Sequence, residues 1–279
     1  MNVEAALAPL GRVESREPYG YASSWPLEDI RLRRPDGSRL QLLLKRFDGG
    51  DTAGKPAFVC DPAREIDAYA LLGRVRALGT PRCYAAGSRW LALEKVAGAE
   101  LWQHGELAAW EAAARWAAGL HRRFASLDPA PRRLLRHDAR LHRRWLARAH
   151  AAHGDAVAPL LAAGELAVAQ LALLPRTLIH GELYPSNVLV RGARVAAVDW
   201  EMAGIGPGVI DLAALLTGWK GRARRAILAA AGGAEPRDLA AARLVLAMQW
   251  LGWSAAWEPP AAQRHDWLAE ASDAAGSIA

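Results

Sequence analysis

Leu178-Ile179-His180-Gly181-Glu182-Leu183-Tyr184-Pro185-Ser186-Asn187-Val188-Leu189-Val190 is followed, after a second apolar run, by Asp199-Trp200-Glu201. A carboxylate, an amide five residues later and another carboxylate twelve residues beyond that are set between short β-forming runs. Side-chain oxygens in this order suit phosphoryl transfer from ATP, a reaction that needs positioning and charge neutralisation more than covalent help.

Working back from this stretch, the N-terminal third reads as β structure. Runs at 28–34 and 39–47 flank Pro35-Asp36-Gly37-Ser38, whose Asp-Gly pair is a hairpin signal. Alternation puts Gln41, Leu43, Lys45 and Phe47 on one face and Leu40, Leu42 and Leu44 on the other, so Lys45 shares a face with apolar neighbours. A helix is expected next, with Asp61 at its N-cap, Pro62 at its first position and Gly79 and Pro81 closing it. Glu65, Tyr69 and Leu72 then lie on one side. A strand is expected over 88–96, broken by Gly98, and helices over 108–124, the arginine-rich stretch 131–150 and 164–174.

Composition narrows the class. The chain has 279 residues, with 52% apolar and 23% charged, enough for one large domain or two lobes with separate cores. No run approaches the roughly 20 apolar residues of a membrane span, and the N-terminus lacks a basic region followed by an apolar block, so a cytoplasmic protein with no membrane partner is expected. Cys60 and Cys83 cannot build a disulfide framework and read as small buried hydrophobes. The formal charge of +6 resides in one place: seven arginines from Arg132 to Arg148 face a single acid, Asp138, and the rest of the chain is neutral. Leu134, Leu141, Trp145 and Leu146 give that segment an apolar stripe, which reads as a solvated amphipathic helix and argues against a nucleic-acid partner.

Protein kinases combine a strand lysine, a helix glutamate, an H-R-D-L-x-x-x-N loop and a metal-binding D-F-G. Here Lys45, Glu65, the His180 to Asn187 loop and Asp199-Trp200-Glu201 follow in the same order on the same kinds of local structure. Read this way, Lys45 would hold the α- and β-phosphates and Glu65 would direct it by an ion pair. Asp199 would bind Mg²⁺ and the Asn187 side-chain oxygen a second Mg²⁺, with Glu201 an outer metal contact, and Glu182 would orient an acceptor hydroxyl and take its proton late. His180 is expected to be structural, because the loop already supplies a carboxylate.

On these residues the chain resembles the aminoglycoside phosphotransferase and choline kinase-like superfamily, the small-molecule branch of the protein-kinase-like fold. The resemblance runs from the hairpin at Glu28 through Lys45, Glu65, Leu93-Glu94-Lys95-Val96-Ala97-Gly98 and His121 to Asp211. It implies an α+β, bilobal fold, with a small β-rich N-lobe over 1–97 that binds nucleotide and a larger, mostly helical C-lobe over 98–279. It further implies ATP and Mg²⁺ as cofactors, adenine contacts from the backbone at Glu94 and Val96, and Asp211 as a structural acid behind the loop.

Two departures stand out. Glu182 occupies a position where the family usually has aspartate, adding on the order of 1.5 Å of reach, and a misplacement of that size can cost ~10²-fold in rate. An active enzyme with a different acceptor geometry, a slowed one, and a nucleotide- or partner-binding module that no longer transfers all stay open. No G-x-G-x-x-G occurs near the start, and Pro18 to Ser24, ahead of the first expected strand, offers Ser23 and Ser24 as phosphate-covering groups or a plain surface turn.

A polypeptide acceptor is disfavoured by the nine residues between Glu201 and Asp211 and by Tyr184, which stands where protein kinases carry lysine. From Gly204 to Ala279 seven acids balance seven bases, which argues against a strongly cationic acceptor. Trp250, Trp253 and Trp257 fall on one helical face and are expected to serve core packing before ligand binding. A hydroxylated small molecule, such as a sugar, an amino alcohol or an antibiotic, is the expected substrate.

Overall fold

The computed structural model of the chain describes residues 2–20, 24–50, 52, 54–75, 78–127, 130–253 and 264–278. A short helix, α1 (Val3–Leu7), leads into strands β1 (Arg12–Pro18), β2 (Leu27–Arg33) and β3 (Arg39–Arg46). Helix α2 (Ala63–Leu72) follows, and then β4 (Cys83–Gly87) and β5 (Trp90–Glu94). The five strands form an antiparallel sheet in the order β1-β2-β3-β5-β4. Leu40, Leu42 and Leu44 of β3 are buried with Ile30, Leu32, Trp90, Ala92 and Leu7 of α1, while Lys45 and Phe47 are buried on the opposite side. The alternation expected of β3 is therefore realised.

The remainder is mostly helical: α3 (Leu107–Arg123), α4 (Ala139–His153), α5 (Leu161–Ala172), α6 (Val209–Leu215), α7 (Gly221–Ala230), α8 (Pro236–Trp253) and α9 (Trp267–Gly276). Between them run six short strands: β6 (Ala99–Glu100), β7 (Leu135–Arg136), β8 (Arg176–Ile179), β9 (Val188–Arg191), β10 (Arg194–Ala197) and β11 (Gly204–Pro207). They make two three-stranded sheets, β10-β9-β6 and β7-β11-β8. Helix α8 is buried on most of its faces against α4, α5, α6 and α9, which explains why its sequence carries almost no polar stripe. The chain is thus α+β and bilobal, a β-rich part followed by a larger helical one.

Several boundaries differ from those expected. Strand β1 was not anticipated: its burial pattern is almost wholly exposed, so no apolar alternation marks it. Pro18 instead ends β1, Tyr19, Gly20 and Ser24 follow it before β2, and residues 21–23, Ser23 among them, are outside the described residues. Helix α2 stops at Leu72, where Gly73 takes the C-cap, well short of Gly79. At its other end Asp61 Oδ1 accepts the Ala63 N–H at 3.1 Å. The expected strand over 88–96 is a hairpin, because Ser88 and Arg89 form the turn between β4 and β5.

The arginine-rich stretch is helical only from Ala139, where Asp138 caps it by accepting the Leu141 N–H at 3.1 Å. Leu135 and Arg136 instead form β7, parallel to β11. Leu134, Leu141, Trp145 and Leu146 are buried, whereas Arg132, Arg133, Arg136, Arg140, Arg143 and Arg144 are exposed, as a solvated face requires. Cys60 and Cys83 are both half-buried, not buried as expected.

Candidate active site

The loop after β8 is held from behind by Asp211, the first-turn acid of α6. Its Oδ1 accepts the Gly181 N–H and its Oδ2 the His180 N–H, both at 2.9 Å, and His121 Nε2 lies 2.9 Å from Oδ2. Asp211 is fully buried; burial acts to raise its pKa, but hydrogen bonding and charge from His121 outweigh it and the net shift is downward. His180 is equally buried, with Nε2 2.9 Å from the Val198 carbonyl and Nδ1 accepting the Glu182 N–H at 3.3 Å. That pair of contacts fixes a neutral ring with the proton on Nε2. Gly181 has φ +82°, and a Cβ there would stand 2.3 Å from the Met202 carbonyl oxygen, so only glycine fits.

Glu182 emerges from this scaffold half-buried, and burial followed by the charge of Asp199 pushes its pKa up to about 8. A one-turn 3₁₀ helix, Pro185–Asn187, follows. Asn187 Nδ2 donates to the Glu182 carbonyl at 3.0 Å, which leaves Oδ1 as the free acceptor of that amide. The Asn187 carbonyl also accepts the Val198 N–H at 2.9 Å, tying the loop to the strand end before Asp199.

Asp199 has φ 64°, the single non-glycine residue in the left-handed region among those described. Its neighbours hold it there: the Trp200 N–H points at Glu65 Oε1, 3.3 Å away, and the Trp200 ring is fully buried against His180 at 4.6 Å. Lys45 Nζ completes the arrangement, 2.6 Å from Asp199 Oδ1, 2.7 Å from Glu65 Oε2 and 3.4 Å from Glu201 Oε1. Burial would lower the Lys45 pKa, but Asp199 and Glu65 more than offset it and raise it well above the usual lysine value. Burial drives Glu65 up to about 7 against the pull of Lys45, while in Asp199 the nearby lysine outweighs burial and holds the carboxyl down. Carboxylate oxygens of Glu65, Asp199 and Glu201 lie within 4.8 Å of one another.

Lys45, Glu65, Asp199 and Glu201 are therefore in direct contact, with Asn187 and Glu182 on the adjoining loop. Glu94 and Val96 stand at and just beyond the end of β5, where the chain leaves the large sheet for β6. The Glu94 side chain is turned to Arg194, at 2.6 Å. Ser24 lies next to Trp25, which packs edge-on against Phe47 at 5.5 Å.

Two basic residues at this site went unnoticed in the sequence. Lys55 donates to Glu201 Oε2 and lies 5.9 Å above the Trp25 ring. Arg64, one residue before Glu65, is buried and donates to three carbonyls: Val59 at 2.9 Å, Glu201 at 2.6 Å and Arg133 at 3.0 Å. Helical periodicity next to Glu65 was the available signal for Arg64; nothing in the local pattern marks Lys55.

Tyr184, Trp250 and Trp267 form an aromatic group beginning two residues from Glu182. Trp250 and Trp267 stack at 5.2 Å, and Trp250 Nε1 donates to the Tyr184 hydroxyl. Trp253 points elsewhere, stacked on buried Trp145 at 5.5 Å, so the expected single tryptophan face is divided; Trp257 is outside the described residues.

Residues 32–245 match the phosphotransferase enzyme family, a span that contains Lys45, Lys55, Arg64, Glu65, Glu94, Val96, Glu182, Asn187, Asp199, Glu201 and Asp211 but not Ser24, Trp25, Trp250 or Trp267. The chain belongs to that family. No curated protein matches it. Among solved structures, the phosphotransferase resembles choline kinase LicA from Streptococcus pneumoniae, with TM-score 0.69 and 15% identity over 99% of this chain and 97% of that one. It is similar to macrolide 2'-phosphotransferase MphH from Brachybacterium faecium, with TM-score 0.63 and 18% identity over 99% and 96% of the two chains. LicA in complex with AMP matches with TM-score 0.62 and 14% identity over 99% and 96%. These likenesses establish the kinase-like fold of the phosphotransferase.

Proposed function

We propose that this phosphotransferase moves the γ-phosphoryl group of ATP, with Mg²⁺, to a hydroxyl of a small molecule. The observation that carries the reading is the placement of Lys45 Nζ within 2.7 Å of both Glu65 and Asp199, beside a loop whose Glu182 and Asn187 are braced by Asp211. A nucleotide complex of LicA, a protein of the same fold, is consistent with it.

The donor set fits Mg²⁺. Asp199, Glu201 and the Asn187 Oδ1 offer oxygen alone, the ligand type this hard cation prefers. Asp199 would hold one ion, Asn187 a second, and Glu201 would be an outer contact; the metal would supply charge neutralisation at the phosphate oxygens.

The chain's own groups would do the rest. Lys45, directed by Glu65, would pair with the α- and β-phosphates, and backbone groups at Glu94 and Val96 would receive adenine. The loop containing Ser23 and Ser24 would cover the phosphates. Glu182 would align the acceptor hydroxyl: a bond forms between its oxygen and the γ-phosphorus, the bond from that phosphorus to the β–γ bridging oxygen breaks, ADP leaves, and the hydroxyl proton passes to Glu182. Burial and the charge of Asp199 raise the Glu182 pKa to about 8 against the pull of Lys55 and Lys45, so in the metal-free fold the ionised form this role needs dominates only above that pH. We place the division of labour between a nucleotide-binding N-lobe, 1–97, and a C-lobe, 98–279. The half-buried aromatic group of Tyr184, Trp250 and Trp267 favours an acceptor with a ring or apolar face.

The test is phosphate transfer from Mg·ATP to a panel of sugars, amino alcohols and antibiotics, with product masses measured. Addition of one phosphoryl group, abolished in a folded Asp199→Ala variant, is expected. Full activity in that variant would remove the metal assignment, and stabilisation by Mg·ATP without transfer across the panel would favour a non-catalytic nucleotide-binding module.

A further inference from the structure

Lys55 occupies a place that the roles above leave unexplained. It lies in the connection between β3 and α2, with its side chain only 13% exposed and its ammonium on Glu201 Oε2. Lys45 approaches the other oxygen, Oε1, of the same carboxylate at 3.4 Å. Two lysines from different segments thus hold opposite oxygens of Glu201, one carboxylate away from Asp199.

Lys55 is tied, with the residues that follow it, to the rest of the fold. Its N–H donates to the Thr52 carbonyl at 2.9 Å, and Val59, four residues on, is fastened by Arg64, which also holds the Glu201 carbonyl. Phe58 packs on Trp145 at 4.9 Å and anchors the segment to α4. The lysine stem therefore rises from a fixed base, with the Trp25 ring beneath the ammonium. Trp25 closes the β1–β2 connection, the loop next to the phosphates in the reading above, and Gly50 permits the close approach: a Cβ there would be 2.4 Å from both the Ser24 carbonyl oxygen and the Trp25 ring.

Charge also points the same way. Lys55 is felt electrostatically at both Glu182 and Asp199, the two acids that flank the place of the transferred group in the reading above. A compact ammonium on a four-carbon stem can exchange one anionic partner for another nearby, and a polyphosphate is the stronger anion.

Resting on the phosphotransfer reading, we propose that Lys55 is a second phosphate-binding lysine: with nucleotide bound it leaves Glu201 and pairs with the terminal phosphate of ATP, while Lys45 serves the inner phosphates. Lys55 is then the residue by which the protein tells a triphosphate from a diphosphate.

Calorimetric titration of wild type, Lys55→Met and Lys55→Arg with Mg²⁺ and either a non-hydrolysable ATP analogue or ADP tests this. Lys55→Met is expected to weaken the triphosphate about tenfold or more, as loss of a charge-assisted hydrogen bond does, while ADP changes less than twofold. Lys55→Arg is expected to recover most of the loss. Equal weakening of both nucleotides, or no change in either, would overturn the assignment and leave Lys55 as a brace for Glu201. If Lys55→Met does not fold, Lys55→Gln, which can still donate to Glu201, carries the same comparison. Wild type that binds neither nucleotide would defeat the phosphotransfer reading itself, whereas wild type that binds both with an unselective Lys55 variant defeats this inference alone.

Discussion

Asp211 Oδ2 accepts the backbone N–H of His180 at 2.9 Å, across 31 residues of sequence. One acid at the start of α6 thereby sets the direction in which Glu182, two residues further on, leaves the scaffold. Asp211→Asn keeps the size but replaces one acceptor oxygen with an N–H donor facing a backbone N–H or the His121 ring. We expect a loss of about 2–4 kcal/mol of stability, from a buried donor left unpaired beside a lost charge-assisted bond, measured by urea unfolding. Turnover should fall at least ~10²-fold at a temperature where the variant remains folded, because the loop is misdirected. Unchanged stability would mean that the loop supports itself.

The pH dependence of the metal-free protein follows from Glu182. Its pKa in the fold is pushed up to about 8 from an ordinary value of 4.5, so between these values the native state binds the proton and the unfolded state does not. The stabilisation this provides is fully present below pH 4.5 and is lost as pH rises through 8; Glu65, raised to about 7, acts in the same direction. Glu182→Gln, which cannot ionise, should lose less stability than wild type, or gain more, between pH 5 and pH 8, a comparison in which the opposite contribution of the buried, pKa-lowered His137, His142 and His180 cancels. Urea midpoints taken across that range check the sign, and parallel curves for the two proteins would contradict it.

Glu94 separates backbone recognition from side-chain recognition. Its carboxylate pairs with Arg194, a partly exposed contact of the kind that contributes about 0–1 kcal/mol. Glu94→Gln should therefore cost about 1 kcal/mol or less in stability and change Mg·ATP affinity less than about threefold, since adenine would be received on backbone groups. A loss beyond tenfold in a titration would show that the carboxylate itself is needed.

The parts of the site that were legible in the sequence are those tied to secondary structure. Lys45 sits in a clean alternation, Glu65 shares a helix face with Tyr69 and Leu72, and the spacing from Glu182 to Asp199 is set by a turn and a two-stranded ribbon. Asp211 was indicated by resemblance, and its three hydrogen bonds became visible only in three dimensions. Lys55 was illegible because it belongs to an irregular connection, where no period says which way a side chain points. Arg64 was passed over because a helix arginine is ordinarily solvated, and its carbonyl partners come from three separate segments. The end of α2 was misplaced by taking Gly79 in preference to Gly73, and the tryptophans of α8 were grouped on one face although α8 is packed on nearly all sides.

Strand β1 lies at the border of the large sheet and carries Arg12, Glu14, Arg16, Glu17 and Pro18. The same residues that hid it from pattern recognition give this open border alternating charges and end it with a residue that has no amide hydrogen to offer. Such a rim is a poor template for a foreign strand, so the phosphotransferase should resist sheet-to-sheet aggregation at this edge even when concentrated.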